Sequence, residues 1–255
     1  SILMKKFKLL SLIVPAYKQE KTIIKDLKNL SKVLSTLPFK HEIIVVVDGF
    51  LDKTYEKAKS IRNKNIKVFG YEKNIGKGST IKYGIEKADG DIIGFIDAGM
   101  DLDPTEISIM LDIMEWNNAD IVVGSKLHPD SKVSYPIARK ILSWVYRTLT
   151  HVLFGFKVKD TQVGLKIFKK RVAKEVFSKI IVKRFAFDIE VLAVAYKLGY
   201  TKIYESPIKL NFRGASSITS SSFWSVIFWM LLDTAAVFYR LKILHYYDKK
   251  IYPVK

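Results

Sequence analysis

Short runs of consecutive apolar residues alternate, in the first half of the chain, with longer segments whose apolar residues recur at helical spacing. The runs are rich in β-branched residues and occupy residues 9–14, 41–49, 66–70, 91–97 and 119–125. Such runs are typical of strands that are buried on both faces. The segments between them predict helices at 22–37, 79–88 and 104–117. Because strands and helices alternate, we predict an α/β fold built on a mostly parallel sheet.

The second half of the chain has a different pattern, and we predict that it extends the sheet. Residues 131–156 form a basic, aromatic-rich stretch with helical spacing, and residues 223–239 are almost wholly apolar. A membrane-spanning helix needs about 20 apolar residues, whereas this last run is shorter and contains Asp233. The pattern favours an amphipathic helix in the headgroup layer of a membrane. A buried core helix and a true span are the alternatives.

Composition narrows the chemistry that is available to this protein. The 255 residues are 49% hydrophobic, which is enough for a real core and excludes disorder as the main state. The 43 Lys and Arg against 25 Asp and Glu give a net charge of +18, which implies an anionic partner such as nucleic acid, a phosphorylated substrate or lipid headgroups. The absence of Cys excludes disulfides and thiolate chemistry, and the four His show no metal-ligand spacing.

Short polar segments follow several of the predicted strands. Pro15-Ala16-Tyr17 follows the first strand, Asp48-Gly49 the second, and Asp97-Ala98-Gly99-Met100-Asp101 the fourth, while Asn74-Ile75-Gly76-Lys77-Gly78 precedes a helix. The carboxyl ends of parallel strands are where such sheets bind ligands. The sequence therefore predicts one ligand site built from these four segments.

In this order and spacing, the four segments resemble the nucleotide-sugar half of family 2 glycosyltransferases, the inverting type with a GT-A fold. Later segments are similar to the polyprenyl-phosphate branch of that family, which includes dolichyl-phosphate mannose and glucose synthases. These segments are Gly124-Ser125-Lys126, Arg139-Lys140, Asp160-Thr161-Gln162-Val163-Gly164, Phe187-Asp188-Ile189-Glu190 and Asn211-Phe212-Arg213-Gly214. The resemblance implies a GT-A catalytic domain at 1–220, with a nucleotide-sugar half at about 9–125 and an acceptor half at 126–220. A membrane-interface helix and basic tail would then occupy 221–255.

The resemblance also implies a nucleotide-sugar site and a divalent metal. The residues of the nucleotide-sugar site would be Pro15, Ala16, Tyr17, Asp48, Gly76, Lys77, Asp97 and Ala98. A sugar nucleotide leaves as a diphosphate, and Mg²⁺ or Mn²⁺ would offset the negative charge that develops on it. Such ions prefer hard oxygen ligands, so Asp97 and Asp101 are the expected metal ligands. An acidic turn that only caps the following helix is the alternative.

The chain departs from the family pattern in three of these segments. Lys18 and Gln19 stand where Asn and Glu are usual, and Val47 stands where a second Asp usually precedes Asp48. Gly99 occupies the second acidic position of the usual Asp-x-Asp motif. We expect Asp48 to accept a hydrogen bond from the nucleobase or ribose, with a simple turn before Gly49 as the alternative. The departures leave the identity of the base open.

A polyprenyl phosphate already presents an anionic oxygen, so its attack needs alignment and cations more than a general base. The resemblance implies that Lys126, Arg139 and Arg213 hold this phosphate, and that Asp97, Asp188 and Arg213 are the catalytic residues. It places Asp160, Gln162 and Glu190 on the sugar and acceptor side of the cleft. Alternatively, Asp188 and Glu190 belong to the exposed face of a helix whose core face is Phe187, Val191 and Leu192.

The predicted function is transfer of a hexose from a nucleotide sugar to a polyprenyl or dolichyl phosphate. The 160–162 and 187–190 segments slightly favour UDP-glucose over GDP-mannose, and the expected location is peripheral, on the cytoplasmic face of a membrane. One alternative is a family 2 transferase that acts on a saccharide hydroxyl, with Asp188 or Glu190 as base. Another is a catalytically weakened homologue that binds nucleotide sugars. Nucleic-acid binding is not expected, because the positive charge is spread along the chain and no recognised motif accompanies it.

Overall fold

The structure, a computed structural model, describes residues 7–99, 102–131, 137–183, 186–209 and 223–248. The strands in these ranges are β1 Leu9–Ala16, β2 Lys40–Asp48, β3 Ile66–Tyr71, β4 Ile92–Ile96, β5 Ile121–Ser125, β6 Leu165–Lys169 and β7 Ile203–Pro207. The helices are α1 Ile23–Leu34, α2 Thr54–Lys59, α3 Lys77–Glu86, α4 Glu106–Trp116, α5 Ile137–Phe154, α6 Lys170–Lys179, α7 Phe187–Lys197 and α8 Phe223–Phe238. A π-helical turn at Tyr239–Ile243 continues α8, and a 3₁₀ turn follows at Tyr246–Asp248.

The seven strands form one sheet in the order β3-β2-β1-β4-β6-β5-β7. Every neighbouring pair is parallel except the two that involve β6, which runs antiparallel to β4 and to β5. The predicted mostly parallel α/β sheet is confirmed, and all five strands predicted from the apolar runs are present. The second half extends the sheet, as expected, through β6 and β7.

Two apolar layers cover the faces of the sheet, because successive strand residues point to opposite sides. Ile13 and Phe95 face a core that includes residues of α3, α6 and α7. Leu12 and Val45 face a second core that includes residues of α1 and α4. This double cover leaves the carboxyl ends of the parallel strands as the place where polar side chains collect.

The antiparallel strand β6 positions one of those ends. Ile96, the last residue of β4, pairs with Leu165, the first residue of β6. The register brings Asp97 opposite Gly164, and the Asp97 N–H donates to the Gly164 carbonyl at 2.9 Å. Strand β6, which follows the predicted acceptor segment at 160–164, therefore pairs with β4, and Asp97 follows β4 directly.

Helices α5 and α8 pack against each other. The Tyr146 and Thr234 hydroxyls hydrogen-bond at 2.7 Å, and Phe154 meets Phe238 edge to face. Thr234 is buried, whereas large apolar side chains of α8 are exposed: Phe228, Trp229, Leu231 and Leu232. The amphipathic character expected of this segment is therefore not confirmed, since a polar residue points inward and apolar residues face outward. Across the described ranges, no helix combines the length and hydropathy that crossing a membrane requires.

Candidate active site

A cleft of about 850 Å³ opens at the carboxyl ends of β1, β2 and β4 and at the start of α3. The structure brings together here all eight residues predicted for the nucleotide-sugar site: Pro15, Ala16, Tyr17, Asp48, Gly76, Lys77, Asp97 and Ala98. Four further residues line the same cleft, namely Lys18, Gln19, Asn74 and Thr80. The convergence follows from the parallel arrangement of β1, β2 and β4, which ends three strands at one edge of the sheet.

Asp48 fixes one wall of the cleft. The residue is 4% exposed, and its two carboxylate oxygens accept hydrogen bonds from the backbone N–H groups of Ile75 at 2.8 Å and Gly76 at 3.0 Å. These bonds hold the loop that leads into α3. A contact between Asp48 and a nucleobase or ribose stays a prediction.

Asp97 and Lys77 form an ion pair inside the cleft. The Lys77 ammonium lies 2.7 Å from Oδ1 and 2.9 Å from Oδ2 of Asp97, and 3.9 Å from Oδ2 of Asp188. Burial disfavours the charged lysine, but the two carboxylates outweigh it and raise the pKa of Lys77. Lys77 is also the first residue of α3, so its charge adds to the positive end of the helix dipole. Asp97 and Asp188 balance this positive charge, so an anionic ligand here would share the Lys77 ammonium with them.

A second ion pair lies beneath the first. Lys166 is fully buried, and its ammonium donates to Oδ1 of Asp188 at 2.5 Å and to the Val163 carbonyl at 2.6 Å. Burial lowers the pKa of Lys166, and Asp188 offsets part of this effect. Burial also acts to raise the pKa of Asp188, but the charges of Lys166 and Lys77 outweigh it, so that this pKa is lowered. Asp188 is therefore an ionised carboxylate at neutral pH.

The predicted acceptor residues Lys126, Asp160 and Gln162 lie together. The Lys126 N–H donates to Oδ2 of Asp160 at 2.9 Å, and the Lys126 ammonium lies 3.9 Å from the same oxygen. The Gln162 N–H donates to Oδ1 of Asp160 at 3.3 Å, and its side-chain amide contacts the sulfur of Met230 in α8 at 3.8 Å. The charge of Lys126 contributes to the lowered pKa of Asp188, so this group adjoins the two ion pairs. The acceptor segment thus lies between the cleft and α8.

Glu190 does not join these residues. Its side chain is 0% exposed, and its Oε2 accepts hydrogen bonds from the N–H groups of Ile181 at 3.0 Å and Val182 at 2.7 Å. In a helix, residues two positions apart point about 160° away from each other, so Asp188 and Glu190 face nearly opposite sides of α7. Glu190 is not among the residues that line the cleft, and its role on the sugar and acceptor side stays a prediction. The alternative, in which Asp188 and Glu190 lie on an exposed helix face, is wrong, because both residues are buried.

Three predicted site residues cannot be placed. Asp101 and Arg213 lie outside the described residues, and so does the side chain of Arg139. Their roles as metal ligand, catalytic residue and phosphate holders stay predictions. The neighbouring Asp103 is described, and its carboxylate accepts hydrogen bonds from the N–H and hydroxyl of Thr105 just before α4.

Asp97 fits a metal ion that is shared with a diphosphate. Among the described residues, no cluster of three or more His, Asp or Glu side chains could hold a metal ion by itself. Mg²⁺ is usually held by one or two carboxylates together with substrate phosphates, and the side chain of Asp97 is 43% exposed at the cleft. A carboxylate of this kind, which ends a buried strand and faces the ligand space, is the donor that such an ion requires.

Two residues that shape the site were not predicted as functional. Lys166 interrupts the apolar strand β6. A charged residue within such a strand is the sequence feature that could have indicated its role. Gly164 belongs to a predicted acceptor segment, but its role depends on a close approach that the sequence does not reveal: a Cβ atom there would lie 1.9 Å from Oδ2 of Asp97 and 2.2 Å from its Cγ. Only glycine fits beside the Asp97 carboxylate.

We expect Gly164→Ala to lower any activity of the cleft about 100-fold, because the methyl group displaces the Asp97 carboxylate from Lys77, and small misplacements of reacting groups have effects of this size. The measurement is the turnover rate together with the midpoint of thermal unfolding. Gly70→Ala is the matched control, since the three atoms nearest to its Cβ would belong to the rings of Phe50 and Tyr55 and not to a charged group. Wild-type turnover in Gly164→Ala would contradict the importance of the Asp97 position.

Known proteins share the sequence pattern of this chain. The sequence pattern of the family described as "Glycosyl transferase family 2" matches residues 11–177. A dolichyl-phosphate beta-glucosyltransferase of Dictyostelium discoideum is 32% identical over 205 residues, which cover 74% of this chain and 63% of that protein. A protein of the same name from Homo sapiens is 31% identical over 254 residues, which cover 93% of this chain and 76% of that protein. The chain thus spans less than two thirds of the Dictyostelium relative's length.

Solved structures share the fold. Glucosyl-3-phosphoglycerate synthase from Mycobacterium tuberculosis, solved with Mn²⁺, uridine diphosphate and phosphoglyceric acid, superposes with a TM-score of 0.69 at 17% identity, covering 91% of this chain and 78% of that one. Mannosyl-3-phosphoglycerate synthase from Rubrobacter xylanophilus superposes with a TM-score of 0.68 at 17% identity, covering 97% and 78%. The family pattern, which spans more than half of the chain, and the relatives above 30% identity together establish that this chain belongs to glycosyl transferase family 2.

Proposed function

We propose that this protein transfers glucose from a uridine-diphosphate sugar to a dolichyl or related polyprenyl phosphate, as a peripheral protein on the cytoplasmic face of a membrane. The observation that carries the proposal is the pairing of Asp97 and Lys77 in a cleft that adjoins the Lys126–Asp160 segment beneath α8. The relatives named dolichyl-phosphate beta-glucosyltransferase support the acceptor and the sugar. The uridine diphosphate bound by a protein of the same fold supports the donor.

On the donor side, the chain binds the diphosphate and orients the sugar. Lys77 offers its ammonium and the positive end of α3 to the diphosphate. Asp97 would hold a Mg²⁺ or Mn²⁺ ion, together with Asp101. Such an ion, when bound, supplies positive charge that stabilises the departing diphosphate.

On the acceptor side, an oxygen of the lipid phosphate attacks the anomeric carbon. A new bond forms between that oxygen and the carbon while the bond from the carbon to the diphosphate breaks, and its electron pair leaves with the nucleoside diphosphate. The attacking oxygen is already anionic, so no proton has to be removed. Lys126, with Arg139 and Arg213, would align the phosphate and screen its charge.

The position of Asp188 supports a phosphate acceptor over a saccharide hydroxyl. A general base must come within hydrogen-bond reach of the proton that it removes, whereas Asp188 is buried, is bound by Lys166 and does not line the cleft. The charges of Lys166 and Lys77 also lower its pKa, which weakens it as a base. Burial raises the pKa of Glu190, but its oxygens are occupied by the 181–182 amides and by Tyr247. Neither carboxylate is suited to act as the base of a hydroxyl transfer.

The test is a panel of radiolabelled UDP-glucose, GDP-mannose and other sugar nucleotides, each offered with a short polyprenyl phosphate or with a saccharide. The expected result is label from UDP-glucose that extracts into organic solvent only with the lipid phosphate. Label transferred to the saccharide instead would favour a hydroxyl acceptor. Nucleotide binding without transfer in any arm would indicate a catalytically weakened homologue.

Membrane contact is the second part of the proposal, and we assign it to the outer face of α5 and α8. Both of these packed helices expose large apolar side chains: Trp144, Val145, Leu149 and Val152 on α5, and Phe228, Trp229, Leu231 and Leu232 on α8. An exposed cluster of apolar side chains is typical of an interaction site. The net charge of +18 adds attraction to anionic headgroups.

We expect the protein to float with vesicles that contain anionic lipid at low salt, and to be partly released at high salt. The electrostatic part amounts to about 1 kcal/mol for each Lys or Arg near the surface, and salt screens it over a Debye length of about 10 Å at 0.1 M. Phe228→Ser should weaken flotation, because Phe228 is 61% exposed on α8. Trp116→Ser is the matched control, since it is 68% exposed on α4 at the other face of the sheet. Equal losses in both variants would refute the assigned surface.

A further inference from the structure

The buried carboxylate of Glu190 joins two segments that are distant in sequence. Its Oε2 accepts the Ile181 and Val182 N–H groups that precede α7. Its Oε1 accepts the Tyr247 hydroxyl at 2.5 Å and lies 3.5 Å from the Arg240 guanidinium. Tyr247 and Arg240 belong to the segment that follows α8. One carboxylate therefore holds the loop before α7 and the continuation of the apolar helix together.

The loop that Glu190 holds is in turn fastened to the start of α3. The Gly78 N–H donates to the Lys183 carbonyl at 2.9 Å, one residue beyond the Glu190-bound amides. Contact there is so close that a Cβ on Gly78 would lie 2.5 Å from the Val182 carbonyl oxygen. Because Gly78 directly follows Lys77, the position of this loop sets the position of the cleft lysine.

The segment after α8 is also held by several hydrogen bonds. Tyr247 is buried, its hydroxyl accepts a hydrogen bond from Nε of Arg240 at 3.1 Å, and its carbonyl accepts one from the Lys179 ammonium at 2.9 Å. Arg240 lines a cavity of about 600 Å³ together with Asn74, which also lines the candidate active-site cleft. The cavity beside the segment after α8 and the cleft thus have Asn74 in common.

We propose that Glu190 is a positioning residue that couples the packing of the Arg240–Tyr247 segment to the position of Lys77. The nucleotide-binding consequence of this coupling rests on the proposed function. Packing of the segment after α8 orders the 181–183 loop through Glu190, and the loop orders the start of α3 through Gly78. When α8 and the segment after it are packed in this way, the protein binds the donor diphosphate more tightly than when they are not.

The test compares Glu190→Gln and Tyr247→Phe with the wild-type protein in two measurements. The first is amide hydrogen exchange in a peptide that covers residues 76–83, which we expect to become about tenfold faster in both variants, the size expected for loss of a hydrogen bond to a charged group. The second is the Kd for uridine diphosphate, which we expect to rise at least threefold. Tyr247→Phe removes one oxygen only, so it keeps the test decisive where Glu190→Gln fails to fold.

Tyr200→Phe is the matched control, because the Tyr200 hydroxyl donates to the Glu175 carboxylate and removing it leaves the 181–183 loop untouched. Unchanged exchange at 76–83 in the two test variants, or changes equal to those in Tyr200→Phe, would overturn the coupling. Faster exchange with an unchanged Kd would overturn its transmission to the cleft. A wild-type protein that does not bind uridine diphosphate would refute the proposed function, while the exchange data would still decide the coupling.

Discussion

Asp97→Asn is expected to lower the transfer rate by about 100-fold or more while leaving the protein folded. The neutral amide can neither balance the Lys77 ammonium nor contribute charge to a divalent ion, and loss of one such electrostatic group typically has an effect of this size. The side chain of Asp97 is 43% exposed, and an ion pair with this exposure contributes no more than about 1 kcal/mol to stability. The measurement is kcat beside the midpoint of thermal unfolding.

Asp103→Asn is the control for Asp97→Asn. Its carboxylate also follows β4, but it accepts hydrogen bonds from Thr105 at the start of α4 and lines no part of the cleft. We expect near wild-type activity from this variant. A chelator should inhibit the wild-type protein, and added Mg²⁺ or Mn²⁺ should restore its activity. Full activity in the chelator would refute the metal role of Asp97, and loss of the unfolding transition in Asp97→Asn would assign that residue to folding.

The first half of the fold was predictable because most of its strands are apolar on both faces. β1, β2, β4 and β5 are buried along nearly their whole length, so their sequences read as continuous hydrophobic runs, and only β3, at the other edge of the sheet, is partly buried. β7 contains Glu205 and Ser206 and lies at the edge of the sheet, where one side of a strand has no partner and polar residues are tolerated. β6 contains Lys166, whose charge is balanced by Asp188, a residue that is distant in sequence. Its pattern therefore does not identify it as a buried strand.

The candidate site was predictable where it depends on the ends of strands and not where it depends on packing between distant segments. Asp48 and Asp97 follow apolar runs, and parallel topology alone brings them to one edge. Glu190 and Asp188 were grouped because they share a motif, but Asp188 contacts Lys166 and Lys77, whereas Glu190 binds the 181–182 amides and Tyr247. The close approach of Gly164 to Asp97 arises from the antiparallel register of β6, which no local pattern specifies.

The exposed apolar face of α8 could not be predicted from the sequence either. The run from Phe228 to Leu232 is apolar whether it is buried, lies in a membrane surface or faces a partner, so hydropathy alone cannot separate these states. The bond between Thr234 and Tyr146 fixes which side of α8 points inward. Once that side is fixed, the exposed aromatic and leucine side chains follow from the helical geometry.

Lys166→Met is expected to lower the free energy of unfolding by about 3–5 kcal/mol, the usual effect of breaking a buried ion pair by removing one partner. The Asp188 carboxylate would lose its hydrogen bond to the ammonium at 2.5 Å and keep only Lys77 at 3.9 Å. The measurement is urea unfolding at neutral pH. A change below about 1 kcal/mol would show that the pair contributes no more than a surface ion pair does.

The double variant Lys166→Met with Asp188→Leu separates stability from function. Replacing both members of a buried pair by apolar residues is often neutral or stabilising, so its free energy of unfolding should return close to that of the wild-type protein. Transfer activity should stay low, because Asp188 no longer helps to place Lys77.

The lowered pKa of Asp188 also predicts that the double variant and the wild-type protein differ in how their stability depends on pH. Its contribution to stability is fully present above the pKa of an unfolded aspartate, about 3.9, and is lost as the pH falls through the lower folded value, because the unfolded state takes up the proton first. The double variant should therefore lose less stability than the wild-type protein between pH 5 and pH 2, and an equal loss in both would contradict the ionised Asp188–Lys166 pair.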